Sequence, residues 1–446
     1  MIPKLDELSR AMFARAAGAC WRAAREAHGG DAPLSCKLGP DSCCDAALEG
    51  HLGCLQYLHE MGCPWNERTC YFAAVGGHLE CMRYAHENGC PWDEDTCAVA
   101  AGGGHLECLK YAREHGCEFD AEAAFPGAAF SGNLECLRYV HENGGRWNAE
   151  TSASAAMGGD LECLRYCLEN GCPTDGELVA NAAGYGRLDC MRYALENGCP
   201  LETYTCFAAA EGGQLECLRL AIAEGCPLDK STSAIAACRG HLDCLKLARE
   251  NGCPWDELTC SYAASGGHLE CLRYALENGC PWNDHTCASA AGRGQLECLR
   301  YLHETGCEWD ERTCRAAAQH GHLECLRYLH EHGCPWDEET CAWTAVGGHL
   351  ECLRYLHEHG CPWNKKTCSK AALVGHLECL RYAHENGCPW DANTCACAAE
   401  RGHLECLRYA HENGCPMDEY TYYNAASYRH QCCLDYAREN GCEYPI

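Results

Sequence analysis

The sequence predicts an all-α protein: an α-solenoid of stacked helix–turn–helix repeats with no single central core. Three observations carry this expectation. A cysteine recurs at Cys54, Cys81, Cys108, Cys136, Cys163, Cys190, Cys217, Cys244, Cys271, Cys298, Cys325, Cys352, Cys379, Cys406 and Cys433, always 27 residues on except for one step of 28. Nearly the same phrase surrounds it each time, as in His349-Leu350-Glu351-Cys352-Leu353-Arg354-Tyr355-Leu356-His357-Glu358-His359-Gly360-Cys361-Pro362-Trp363. Each copy also reads as two short helices parted by glycine. Units repeated at a fixed short period bury their apolar faces against their neighbours, so the array grows without a common core.

Residues 1–40 do not fit the repeat and are expected to form a divergent N-terminal cap. Leu5–Arg15 reads as an amphipathic helix and Cys20–Gly30 as a worn second helix, with Pro33 and Pro40 in the connection. The solenoid proper runs over residues 41–420. In the copy that starts near Thr96, Ala-rich Thr96–Ala101 is the first helix, with Thr96 expected to cap its free N–H groups. The acidic Asp93, Glu94 and Asp95 suit its first turn, and Gly102-Gly103-Gly104 ends it. The second helix spans His105–His115 and stops at Gly116, where a left-handed residue is cheap. In a typical second helix Leu350, Leu353, Leu356 and His357 line one side. Glu351, Arg354 and Glu358 line the other, a solvated row with ion pairs of a few tenths of a kcal/mol each. Proline after Gly-Cys then enforces an extended exit, since it cannot continue a helix.

The 28-residue copy carries Phe125-Pro126-Gly127. This predicts one extra loop residue before a helix with proline near its start. Residues 421–446, with Thr421-Tyr422-Tyr423-Asn424 and Gln431-Cys432-Cys433, are more polar and are expected to be the C-terminal cap.

A tryptophan marks the exit of most copies (Trp65, Trp92, Trp147, Trp255, Trp282, Trp309, Trp336, Trp363 and Trp390). Packing between neighbouring units is the expected role, because burial of so large a side chain stabilises by several times ~1 kcal/mol. Phe119, Thr174, Leu201, Leu228 and Met417 replace it elsewhere. The stretch from 170 to 230 is therefore the least regular, through drift, a local bend or a patch freed for contact.

Net charge is −29. Nucleic acid and anionic membranes are excluded as partners, because phosphate binding needs clustered Lys and Arg. A basic or neutral protein surface is expected instead, met by a monomer. No run of 18 apolar residues and no signal-peptide core follow Met1, so a soluble, cytoplasmic chain is expected.

The 46 cysteines are mostly periodic. Beside the ladder above, a second follows Gly at the exits (Cys63 and Cys90 to Cys442), and a third lies in the first helices (Cys43 and Cys70 to Cys395). Cys63 and Cys70, seven apart, could be bridged. The second member is instead replaced by Val179, Ser233 or Tyr422 while the first stays, which marks packing sites for thiols. His78 and Cys81 have ligand spacing, but a zinc ion needs four ligands within ~2.0–2.3 Å. Equivalent side chains in stacked helices stand about 10 Å apart, so no metal or other cofactor is expected. Every candidate nucleophile or base is plural, so no catalytic site is expected. A thiol-rich zinc-binding or redox protein is the alternative reading at this stage.

The phrase Gly375-His376-Leu377-Glu378-Cys379-Leu380-Arg381-Tyr382-Ala383-His384-Glu385-Asn386-Gly387-Cys388 resembles the second helix of an ankyrin repeat. Thr367-Cys368-Ser369-Lys370-Ala371-Ala372 resembles the first, with Cys368 in place of a core leucine. The resemblance covers roughly residues 41–446. It is closest to the short Cys-Pro-Trp arrays of amoebal giant DNA viruses and some protists. The family unit is about 33 residues, so this shorter repeat is expected to lack the β-hairpin finger. The resemblance implies a non-catalytic protein–protein interaction scaffold that acts in host cytoplasm or virion if viral. It also implies that the concave side is lined by residues two and five or six places after the first-helix cysteine. Here these are Phe72, Val99, Phe130, Met157, Asn181, Tyr185, Ile235, Arg239, Tyr262, Arg293, Gln319, Trp343, Lys370, Arg401 and Tyr428. They differ between copies while the frame stays fixed, and aromatic and Arg side chains dominate binding hot spots.

Overall fold

Thirty helices in fifteen pairs, and no strand, make up the described residues of the computed structural model, 40–92, 94–117 and 121–442. The cap expected over residues 1–40 lies outside them apart from Pro40, as do Phe119 and residues 443–446. In each repeat the first helix (A) and second helix (B) form a hairpin, as in Glu338–Gly347 followed by Leu350–Glu358. The chain forms two compact units, one up to Cys226 and one from Pro227. The irregular stretch expected from 170 to 230 contains that boundary. Within each unit every A helix packs on the next A helix and every B helix on the next B helix, the A row more closely. Small residues permit that closeness: Ala371 and Ala372 are fully buried. The B row contributes the larger apolar groups, such as Leu353 and Leu356. Each stabilises by about 1.5–3 kcal/mol relative to an exposed leucine.

Most A helices whose caps are described begin at an Asp or Asn cap, not at the threonine expected from sequence. The exception is Tyr204–Glu211, where Thr203 stands at the cap without a side-chain hydrogen bond. The Asp256 side chain accepts from the Leu258 N–H at 3.1 Å, and Asn364 accepts from the Lys366 N–H at 2.9 Å. Both caps are extended (φ −140° and −142°) and so free their carboxylate or amide to turn back onto the first turn. Threonine sits three residues on, fully buried in that first turn, as at Thr259 and Thr367. A second correction concerns the 28-residue repeat. Its A helix is Ala121–Phe130, so Pro126 lies inside the helix and not at its start. The B helices end as expected: Gly360 is left-handed (φ 81°), the Gly360 N–H donates to the His357 carbonyl at 3.0 Å and the Cys361 N–H to the Leu356 carbonyl at 2.9 Å. This is the paired pattern of a Schellman stop.

Between A and B stands the joint of the stack. Within each unit the residue before a B helix has positive φ, a glycine everywhere but at Arg429 (φ 61°). The side chain opening the next repeat's B helix fills the space where the glycine Cβ would be. A Cβ on Gly77 (φ 72°) would stand 2.2 Å from the His105 ring, and one on Gly348 (φ 75°) 2.6 Å from His376. The same histidines reach the end of the preceding A helix: Nε2–H of His105 donates to the Val75 carbonyl at 3.1 Å, and that of His376 to Val346 at 3.1 Å. These are carbonyls a helix C-terminus leaves without intrahelical partners. Where histidine is absent the role persists, with Arg187 Nε donating to the Met157 carbonyl at 3.2 Å.

Gly360→Ala meets open space and is expected to cost about 1 kcal/mol for its backbone alone. Gly348→Ala is expected to cost a further ~1–3 kcal/mol through overpacking against His376. Much of that extra loss should vanish when His376→Ala is added. Urea unfolding of the three variants and wild type measures this, and equal losses at both glycines would refute the joint.

Candidate protein-interaction surface

The recurring aromatic residues of the B side hold repeat to repeat. His59 stacks on Trp65 at 3.8 Å, and its Nδ1 hydrogen-bonds the Tyr84 hydroxyl of the next repeat at 3.0 Å. His86 does the same with Trp92 (3.8 Å) and Tyr111 (3.1 Å), and His330 with Trp336 (4.1 Å) and Tyr355 (2.9 Å). A cation covers most of these tyrosines from the preceding B helix, as the Arg327 guanidinium does 5.6 Å from the Tyr355 ring and Lys246 5.8 Å from Tyr274. Gln56 stands at that place before Tyr84. The tryptophan row is therefore packed, as expected. Where Leu276 replaces the histidine, Trp282 is 38 % exposed. The charged row is half-exposed with loose pairs, Arg354 lying 3.8 Å from Glu351. Burial, reinforced by His115, His332 and His359 at 5.6, 5.1 and 5.2 Å, lowers the pKa of His86, His303 and His330.

The thiols are built into the same frame. Burial pushes up most thiols of the B ladder, Cys352 to about 11. Exit thiols donate to the backbone of the A-helix cap in their own repeat, Cys90 to the Asn66 carbonyl at 3.1 Å and Cys388 to Asn364 at 3.2 Å. The spatial partner of an A-helix thiol is the exit thiol 20 residues later, not the one seven residues before. Cys70 lies against Cys90, and Ser233 donates to Cys253 at 3.0 Å. Phe125 and Gly145 are the same pair with the volume moved to one side, since a Cβ on Gly145 would stand 2.8 Å from the phenyl ring. At one such pair, Cys287 and Cys307, the two sulfurs come closest together. Among the described residues no three His, Cys, Asp or Glu side chains converge to hold a metal ion.

The A helices turn a different face outward. Positions two and five or six after the ladder place share one side of the helix, opposite the buried alanines. All fifteen residues nominated from sequence are at least partly exposed there. Phe130, Tyr185, Tyr262 and Tyr428 are 48, 47, 42 and 57 % exposed. Two of the fifteen meet: the Lys370 ammonium lies 3.8 Å from the centre of the Trp343 ring. Glu339 pairs with Lys366 and, at 3.5 Å, with Lys370, and the Lys366 hydrogen bond lowers its pKa. Arg68 covers Phe72 at 5.5 Å, and Arg401 pairs with Glu400 at 3.7 Å. The second unit also holds a groove of about 560 Å³ across the A helices Glu257–Gly266, Asp284–Gly292 and Glu311–Gln319. Its wall includes Tyr262 and Arg293, but also Ser289, Ala316 and His320, which the search for large variable residues passed over. The signal for Ser289 and Ala316 is smallness at position two in successive repeats, whereas His320 lies at position six.

This architecture is that of ankyrin-like helical repeats. Residues 285–367 match the family described as ankyrin repeats (3 copies). No curated protein is significantly similar to the chain. Ankyrin repeats are generally protein–protein interaction modules, and no helix among the described residues is long and apolar enough to cross a membrane.

Two measurements follow from the B side. The folded-state pKa of the stacked histidines lies below the ordinary imidazole value of about 6.5. On acidification the unfolded chain therefore takes up protons first, so stability is full above about 6.5 and falls as pH drops below it. Thermal melting should be lower at pH 5.5 than at pH 7.5, and an unchanged or higher midpoint would contradict the assignment. Alkylation of the native protein followed by mass spectrometry should modify exposed Cys432 first, then half-buried Cys54, Cys238 and Cys397. The buried ladders should react only on unfolding, because a thiol held protonated and dry is a poor nucleophile.

Proposed function

We propose that the protein is a non-catalytic scaffold that binds a partner protein along the outward face of its A helices. The observation that supports this reading is the contrast between the two sides. Recurring aromatic residues of the B side are tied up in contacts between repeats, whereas the aromatic residues that vary from copy to copy stand exposed on the A side. Rigid, exposed Tyr, Phe and Arg side chains suit hot spots, and absence of a projecting finger leaves this helix face to make the contact. A net charge of −29 favours a basic or neutral partner overall. The proposal includes a monomer acting in the cytoplasm, with caps at residues 1–40 and 421–446 closing the array of 41–420. The likeness to giant-virus arrays extends it to recruiting or blocking a host factor.

Phe72→Ala, Tyr262→Ala and Trp343→Ala combined in one chain test this. Proteins captured by wild type should be lost by the triple variant, whose melting temperature should change little beside that of a core variant such as Leu353→Ala. Undiminished capture of every partner would show that the A face is not the contact surface.

A further inference from the structure

We infer that the groove across the A helices Glu257–Gly266, Asp284–Gly292 and Glu311–Gln319 seats an extended peptide segment of the partner that carries a carboxylate side chain beside an apolar one. This rests on the reading of the A face as the contact surface. Position two runs Tyr262, Ser289, Ala316, Trp343 in four successive A helices: large, small, small, large. The two small residues leave a trench that Tyr262 walls on one side, about 560 Å³ in volume. That lies within the ~300–1,000 Å³ of ordinary ligand pockets, ample for one or two side chains of a peptide.

The edges of the trench carry opposite charge. Arg293 and His320 follow directly on the C-terminal ends of the second and third helices. A cation there is stabilised by the helix dipole without needing an anion of its own. Arg293 is exposed, and among the described residues no carboxylate lies within ion-pair distance of it. Some arginines of the second unit have such partners, Arg315 lying 2.9 Å from Asp337 and Arg300 3.3 Å from Glu297. Others without one, such as Arg273 and Arg381, lie over tyrosine rings. Glu257 stands on the N-terminal edge of the groove. A bound carboxylate is therefore drawn to Arg293, where a guanidinium can take it with two parallel hydrogen bonds, and repelled from the Glu257 end. That fixes the direction of the segment. On a chain of net charge −29, an acidic segment meets repulsion almost everywhere else, so this local reversal of sign confers selectivity.

The test is selection of displayed random 12-residue peptides on the full chain, followed by titration of the synthetic winners. Enriched peptides should carry Asp or Glu next to an apolar residue. Arg293→Glu should weaken them at least about tenfold, the loss expected when a charge-assisted bond turns repulsive. Ser289→Trp, which fills the trench, should abolish binding, and Arg354→Glu on the B side should leave it intact. Should Ser289→Trp fail to fold by circular dichroism, Arg293→Glu decides alone. Winners without an acidic residue, winners indifferent to Arg293→Glu, or no enrichment at all would overturn the inference. Winners lost with Phe72→Ala but not with Arg293→Glu would overturn it while sparing the A face as contact surface. Winners indifferent to every A-face change would overturn both.

Discussion

The stack depends on one interlock: a left-handed glycine leaves a hole, and the next repeat's histidine plugs it and bonds the helix end beside it. Sterics and hydrogen bonding act on the same few atoms, so any residue that replaces the histidine must fill the same hole. Val75 and His105 are 30 residues apart in sequence and 3.1 Å apart in space. Bringing them together demands that the connection from one B helix to the next A helix be short. An exit of Cys-Pro-Trp followed directly by the Asp or Asn cap meets that demand, which is why a projecting hairpin has no place in this unit.

The two sides of the array divide the labour. On the B side, Trp, His, Tyr and Arg from adjacent repeats stack and hydrogen-bond wherever they recur, and the thiols beneath them fill volume and bond backbone carbonyls. Their chemistry is suppressed by burial, with Cys352 pushed up to about 11. On the A side the close helix packing is made chiefly by alanine, with buried threonine, serine and cysteine beside it. Outward positions are left without a structural task, and there the copies differ.

Periodicity made the fold class, the paired helices, the glycine stops and the solvated Glu–Arg row legible from sequence. What escaped reading lies between repeats. His59 meets Tyr84 across 25 residues, a spacing that no helical wheel reveals. Sequence adjacency suggested pairing Cys63 with Cys70, whereas Cys70 lies against Cys90 because the A helix folds back beside its own exit. Thr259 and Asp256 recur together, and sequence alone does not decide which caps the helix. Pro126 was misplaced because its helix starts at Ala121, well ahead of the expected start. At the candidate site the large residues were found by their variability. The groove was not, since it is made by small residues at Ser289 and Ala316.

The plug and its socket have a consequence for how such a chain can change length. Because most repeats present the same glycine behind, and ten of the fifteen the same histidine ahead, many joints are interchangeable within the array. Excising or duplicating a whole 27-residue module would leave a well-formed seam, whereas removing a single residue would rotate everything downstream out of register. Recombination between modules can therefore reshuffle the outward side chains like beads on a string, without renegotiating the scaffold that carries them.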